Sequence, residues 1–236
     1  MFGFVIAGHD TMSTTMCWAV KLLADHGAVQ ARLRDELQKG HAAARLEKRA
    51  PTVHEITQTS IPYLDAAMEE LLRCGATVPL GDREATQDTV LLGHHIPKGT
   101  IVFFLHNGPG LLMPALPVDD EVRSKQSQAA RADGLARTWR DDDVGAFKPE
   151  RWLVKQLDGT VVFDAQAGPN LPFGLGLRGC FGRRLAYVKF RILLTMLVWH
   201  FEMLECPERL SGYKGILAVV NRPKDCYVRL REVKLE

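Results

Sequence analysis

Apolar residues recur at helical spacing along several stretches of this chain, separated by polar punctuation. From residue 4 to about residue 25, Val5, Trp18, Leu22 and Leu23 mark a helix. His26-Gly27 ends it, and residues 28–39 give a second, charged helix closed by Gly40. Thr52-Val53-His54-Glu55 has the spacing of a capping box and opens a short helix. Ser60-Ile61-Pro62 starts another, with proline in its first turn, that runs to about Cys74. Residues 78–105 read as strands and turns. Within them, residues 88–92 and 100–105 flank the turn-rich link 93–99 and suit a hairpin. Glycine, proline and mixed charge from 107 to 143 predict a long surface loop with one short helix near 128–136. Residues 147–152 suggest an irregular packed segment, and 161–163 a short strand. A helix from about 182 to 199 carries Leu185, Val188, Leu193, Met196 and Leu197, with Arg183, Arg184, Lys189 and Arg191 as its wet face. The tail alternates turns with short strands such as 226–230. The pattern is mainly α with small β-sheets.

Composition narrows the function classes. The chain has 236 residues, 46% of them hydrophobic, and a net charge of +2. That suits one domain with a real core and gives no push toward nucleic acid. The five cysteines, at 17, 74, 180, 206 and 226, form no C-x-x-C pair, so neither a disulfide framework nor a zinc site is expected. A reducing compartment is the expectation. The longest apolar run, 192–201, is well short of the roughly 20 residues of a membrane span. No signal peptide is recognisable, so as given the chain reads as cytoplasmic or peripherally attached. His94-His95 are adjacent, would point to opposite faces of a strand, and read as solvated turn residues.

Three stretches carry candidate chemistry. Ala7-Gly8-His9-Asp10-Thr11 interrupts the first helix with a glycine that costs about 1 kcal/mol. It implies either a kinked or widened turn where something approaches the backbone, or a helix that tolerates a few polar residues. Glu70 and Arg73, three apart, share a helix face and can pair. The stretch 172–182, PFGLGLRGCFG, sets Cys180 in a glycine-dense loop before a helix. A thiolate there gains from unpaired N–H groups and the helix dipole. The glycines admit something flat or bulky, so the loop can offer one sulfur to a metal not held by protein. Gly174-x-Gly176-x-x-Gly179 also matches the dinucleotide fingerprint. Pro169 and Pro172 argue against the buried strand which that motif needs, and no second βα unit follows. A haem with a cysteine ligand fits better: the thiolate pushes electron density onto iron, and nearby N–H groups tune that push.

These residues resemble the C-terminal half of a cytochrome P-450, a haem-thiolate monooxygenase. FGLGLRGCFG (173–182) matches that family's haem-binding signature and Ala7-Gly8-His9-Asp10-Thr11 its oxygen-activating helix. Glu70-Leu71-Leu72-Arg73 matches its glutamate–arginine pair, and residues 147–152 the segment whose arginine, Arg151, joins it. The longer stretch 107–143 is similar to that of filamentous-fungal microsomal members. The resemblance implies a partial P-450 fold over 1–236, entered at the oxygen-binding helix, with the haem-binding loop at 172–182. It implies haem b with Cys180 as axial ligand, Arg83 and Arg178 on the propionates, and Phe173, Gly174 and Gly182 against the thiolate side. Asp10 and Thr11 would deliver protons, and Ala7 and Gly8 would leave room for oxygen. Glu70, Arg73 and Arg151 would form a buried ion network with a structural role. Val78 to Gly81 would lie near substrate, and Arg183, Arg184 and Lys189 would help dock an acidic electron donor.

By the same resemblance the activity is insertion of one oxygen atom from O2 into a small lipophilic organic substrate. Electrons would come from an NADPH-cytochrome reductase at the cytoplasmic face of the endoplasmic reticulum. Full-length relatives reach that membrane through a segment absent here, and much of their substrate pocket is absent too. The alternative expectation is a truncated, non-catalytic remnant that cannot hold haem on its own. A peroxide-rearranging relative is disfavoured by the Asp10-Thr11 pair.

Overall fold

A computed structural model describes residues 2–234. Its helices are α1 (Phe2–Asp25), α2 (Gly27–Gly40), α3 (Ala42–Leu46), α4 (Val53–Gln58), α5 (Pro62–Gly75), α6 (Lys125–Ala132) and α7 (Arg183–His200). The strands are β1 (Leu80–Glu84), β2 (Thr89–Leu91), β3 (His94–Ile96), β4 (Ile101–Leu105), β5 (Leu153–Lys155), β6 (Val161–Phe163), β7 (Phe201–Leu204), β8 (Gly215–Leu217), β9 (Asn221–Pro223) and β10 (Arg229–Glu232). They pair antiparallel in five two-stranded sheets: β1 with β4, β2 with β3, β5 with β6, β7 with β10, and β8 with β9. The expected mainly helical fold with small sheets is what forms.

The four longest helices meet in one core, with Leu23 of α1, Leu33 and Leu37 of α2, Leu64 of α5 and Leu194 of α7 fully buried. Each such side chain contributes about 1.5–3 kcal/mol by leaving water. α5 runs through the middle. Proline opens it, and Ala76, in the left-handed region at φ 41°, closes it. Of its residues 63–73 only Asp65 is not buried, so it is enclosed on nearly all sides. The expected capping box forms at α4: Glu55 N–H donates to Thr52 Oγ1 at 3.2 Å and Thr52 N–H to Glu55 Oε2 at 2.6 Å.

Several expectations need correction. The hairpin does not join 88–92 to 100–105. Leu92 (φ 48°) and Gly93 (φ 81°) make a two-residue turn that folds β2 onto β3, so His94 and His95 are exposed strand residues. β4 pairs back with β1 instead. On α7 the buried stripe is Phe190, Leu194 and Val198, four apart, whereas Leu185, Val188 and Leu193 are exposed. On α1, Val5 is exposed too. Arg191 is not on a wet face: it donates to the carbonyls of Ile56 (2.9 Å) and Thr59 (2.6 Å) and to Asp65 (2.5 Å), fastening α7 to α4 and α5. The short helix in the long connection lies at 125–132 rather than 128–136. Trp139, also in that connection, is buried edge-on against Trp152, with ring centroids 4.9 Å apart. A Cβ at Gly168 would sit 2.5 Å from its ring, so glycine is required there.

The expected ion network is present and buried. Glu70, 0% exposed, accepts from Arg73 Nε at 2.8 Å and Nη2 at 2.7 Å, Arg151 Nε at 3.0 Å, Trp152 Nε1 at 2.9 Å and the Lys148 N–H at 2.8 Å. Arg73 also donates to the carbonyls of Leu111, Val144 and Ala146, and Arg151 to Asp143. Burial works against the Arg73 charge, but its bond to Glu70 and the fields of Cys74, Glu70 and Asp143 outweigh it and raise its pKa.

Glu70→Gln leaves Arg73 buried without its carboxylate and should cost about 3–5 kcal/mol, read from the urea unfolding midpoint. Asp143 gives a pH signature. Bonds from Lys148 and then Arg151 lower its pKa from 3.8 to about 2. Its stabilisation is therefore full above 3.8 and lost as pH falls through about 2. Asp143→Asn should be less stable than the parent chain at neutral pH, with the gap closing over that acid window in pH-dependent denaturation.

Candidate active site

α1 passes through residues 7–11 without a break, so the polar stretch is accommodated within regular helix. Its carbonyls take extra donors. Thr11 Oγ1 donates to Ala7 O at 2.6 Å, Ser13 Oγ to Asp10 O at 3.2 Å, and Thr15 Oγ1 to Thr11 O at 2.8 Å. Lys189 Nζ, from α7, reaches Gly8 O at 3.2 Å. Lys189 is thus half-buried and bridging rather than solvated.

The cysteine loop is held by its own backbone. Gly174 N–H donates to Leu171 O at 3.1 Å, Gly179 N–H to Gly176 O at 3.0 Å, and Cys180 N–H to Phe173 O at 2.8 Å. Gly174 and Gly176 have φ of 64° and 65°, a region a side chain would strain. Gly182 is the N-cap of α7, whose first turn has no side-chain cap, and the Cys180 carbonyl accepts the Arg183 N–H at 3.3 Å. Phe173 packs on Tyr187 with ring centroids 5.2 Å apart.

α1 and this loop face one cavity of about 980 Å³. Ala7, Gly8, Thr11, Arg83, Phe173, Gly174, Arg178, Cys180 and Gly182 all line it. Asp10 does not: its carboxylate is half exposed and hydrogen-bonded to His9 Nδ1 at 2.9 Å. Glu70, Arg73 and Arg151 do not line it; they tie α5, which supplies Leu72 to the wall, to residues 148–152. Val78, Leu80, Phe104, Leu185 and Phe190 make most of the remaining wall apolar. Sequence reasoning missed His106, a lone histidine after β4 whose Nδ1 is hydrogen-bonded to Val78 O at 3.1 Å. It also missed Asn170 and Tyr187, which line the cavity and bond Glu69 behind it.

One thiol, two arginines and glycine-lined apolar walls fit an iron porphyrin with two carboxylate tails. Among the described residues the Arg83 guanidinium donates only to the adjacent Asp82 carbonyl (2.6 Å) and the Arg178 side chain has no hydrogen bond or ion pair, so both charges can meet an anionic group.

Comparison with known proteins gives the family. The Cytochrome P450 family model matches residues 1–109 and 142–228, leaving out most of the long connection. The chain is 44% identical to the cytochrome P450 monooxygenase TRI13 of Fusarium sporotrichioides, over 100% of its own length and 42% of that protein's. It is 42% identical to a cytochrome P450 monooxygenase, cyp3.1, of Dothistroma septosporum, over 98% of its own length and 76% of the relative's. A zebrafish cytochrome P450 structure with progesterone superposes with a TM-score of 0.65 at 26% identity, over 98% of this chain and 44% of that one. The fold is that of the haem-thiolate class. The chain belongs to the cytochrome P450 family and spans 42% of the length of the Fusarium relative.

Cys180 is exposed to the cavity, whereas burial and the field of Glu70 push the Cys74 thiol up to about 12. Alkylation needs a thiol that reagent can reach, and a raised pKa slows it further. Brief iodoacetamide treatment at neutral pH should therefore modify Cys180 and spare Cys74, as read by peptide mass spectrometry.

Proposed function

We propose that this chain carries the thiolate and oxygen-side walls of a haem-dependent monooxygenase. The observation that supports this reading is a single cavity lined by both Thr11 of α1 and Cys180 of the glycine loop. When bound, haem b supplies dioxygen activation and the insertion of one oxygen atom into an organic substrate. Cys180 would supply the sulfur ligand to the iron. Arg83 and Arg178 would neutralise the propionates, and Phe173 would keep water from the sulfur. Ala7 and Gly8 line the cavity and would leave room in it for oxygen. The Thr11 hydroxyl holds a proton at Oγ1 that it now gives to Ala7 O, and it can turn that proton into the cavity. Asp10, one residue away and open to solvent, would exchange protons with water and supply Thr11.

The apolar wall suits a small lipophilic substrate. The reductase partner and the endoplasmic-reticulum surface belong to this proposal by family likeness. No helix among the described residues is long and apolar enough to cross a membrane. One observation favours the second reading, a non-catalytic remnant. Leu175 and Leu185 line the cavity yet keep large exposed areas, so this chain by itself encloses it incompletely.

The test is the reduced, carbon-monoxide difference spectrum of the haem-reconstituted chain. A red-shifted, thiolate-type Soret band is expected, and Cys180→Ser should abolish it. A histidine-type band in the parent chain would mean that the remnant reading is correct.

A further inference from the structure

The Cys180 loop is tied at both ends to one buried carboxylate that the mechanism above does not use. Glu69 is 8% exposed and lies on α5 beside Glu70. Successive helical residues point about 100° apart, so the two acids serve different neighbours. Glu69 Oε2 accepts from Asn170 Nδ2 at 2.9 Å, and Oε1 accepts from the Tyr187 hydroxyl. Asn170 precedes the loop and Tyr187 follows it on α7. The Tyr187 ring packs on Phe173, whose carbonyl receives the Cys180 N–H, and the Arg183 guanidinium covers both rings at 5.9 and 5.6 Å. A continuous set of contacts therefore runs from Glu69 through Tyr187 and Phe173 to the backbone of the sulfur-bearing residue.

We infer that Glu69 is a positioning residue for the thiolate: it clamps Asn170 and Tyr187 and so fixes where Cys180 stands in the cavity. The inference rests on the haem-thiolate reading for its purpose, but the clamp itself is a property of the folded chain. Burial raises the Glu69 pKa, against the bonds from Tyr187 and Asn170 and the charge of Arg183. A carboxyl kept in such surroundings needs those two donors, and they need it. Without the carboxylate, Asn170 keeps only a long 3.5 Å bond from Nδ2 to the Glu69 carbonyl, and the backbone bonds of the loop remain. Those close local turns and do not tie it to α5.

The test is hydrogen exchange on the 236-residue chain without haem, comparing the parent with Glu69→Gln and Tyr187→Phe. Peptides covering 171–182 should exchange about tenfold faster at the Cys180 amide in both variants, with α2 and β7 unchanged. Leu37→Ala, which loosens the core elsewhere, should leave the Cys180 amide at its parental rate. Tyr187→Phe removes one oxygen atom only, and it carries the test if Glu69→Gln does not fold. Parental exchange at Cys180 in a folded Tyr187→Phe chain, or equal loosening by Leu37→Ala, would overturn the clamp. In the haem-loaded chain, Tyr187→Phe should also shift the ferric–ferrous potential. An unchanged potential would reduce Glu69 to a structural role and overturn its assignment as a positioning residue. If the parent shows a histidine-type band, the haem reading fails, and the exchange result still decides the clamp.

Discussion

The buried carboxylate of Glu70 is the constraint on which the architecture rests. Two guanidinium groups, an indole and a backbone amide converge on it from α5 and from residues 148–152. Neither the carboxylate nor a guanidinium can leave without stranding charge in a buried place. The network ties α5 to the segment after the long connection, and Arg73 reaches on to the carbonyls of Leu111 and Val144. The long connection therefore enters and leaves the fold at points that this network holds. That the family match skips residues 110–141 yet resumes cleanly at 142 is consistent with this arrangement.

α5 extends the same economy toward the site. Glu70 faces the scaffold and Glu69 the cysteine loop, so two adjacent acids on a rigid, enclosed helix hold both the frame and the sulfur. Opposite them, α1 offers carbonyls that already accept from hydroxyls and from Lys189, a backbone kept helical while presenting polar atoms to a cavity. The cavity is where these two rigid walls fail to meet. Its walls are mainly apolar, and Arg83 and Arg178 add positive charge to them.

Much of this was legible in the chain. The helices at 27–40, 62–75 and 183–200 follow from local periodicity and punctuation, and the capping box at Thr52 formed as its spacing required. The glycine loop announced its shape because Gly174 and Gly176 occupy a region other residues avoid. Strand pairing was not legible. A seven-residue link looked like a turn, but the positive φ of Leu92 could not be read from a leucine. Nor was the buried face of α7, where apolar residues occur on all sides and only packing selects Phe190, Leu194 and Val198.

The residues alone determined which chemistry is available: one cysteine in a glycine loop, an acid–alcohol pair on a helix, and an acid three residues from an arginine. Such motifs are local, and their backbone preferences are encoded within a few positions. The tertiary structure decided which of them act together. It set Thr11 and Cys180, 169 positions apart in the chain, on one cavity, and left Asp10 outside it. It buried Glu70 and Arg73, which as an isolated helical pair would be a weak surface contact. It joined Glu69 to Asn170 and Tyr187, a contact with no signature in spacing. The physical reason is that burial and long-range proximity arise from how helices pack, and a side chain's charge and reactivity follow from that environment rather than from its neighbours in sequence.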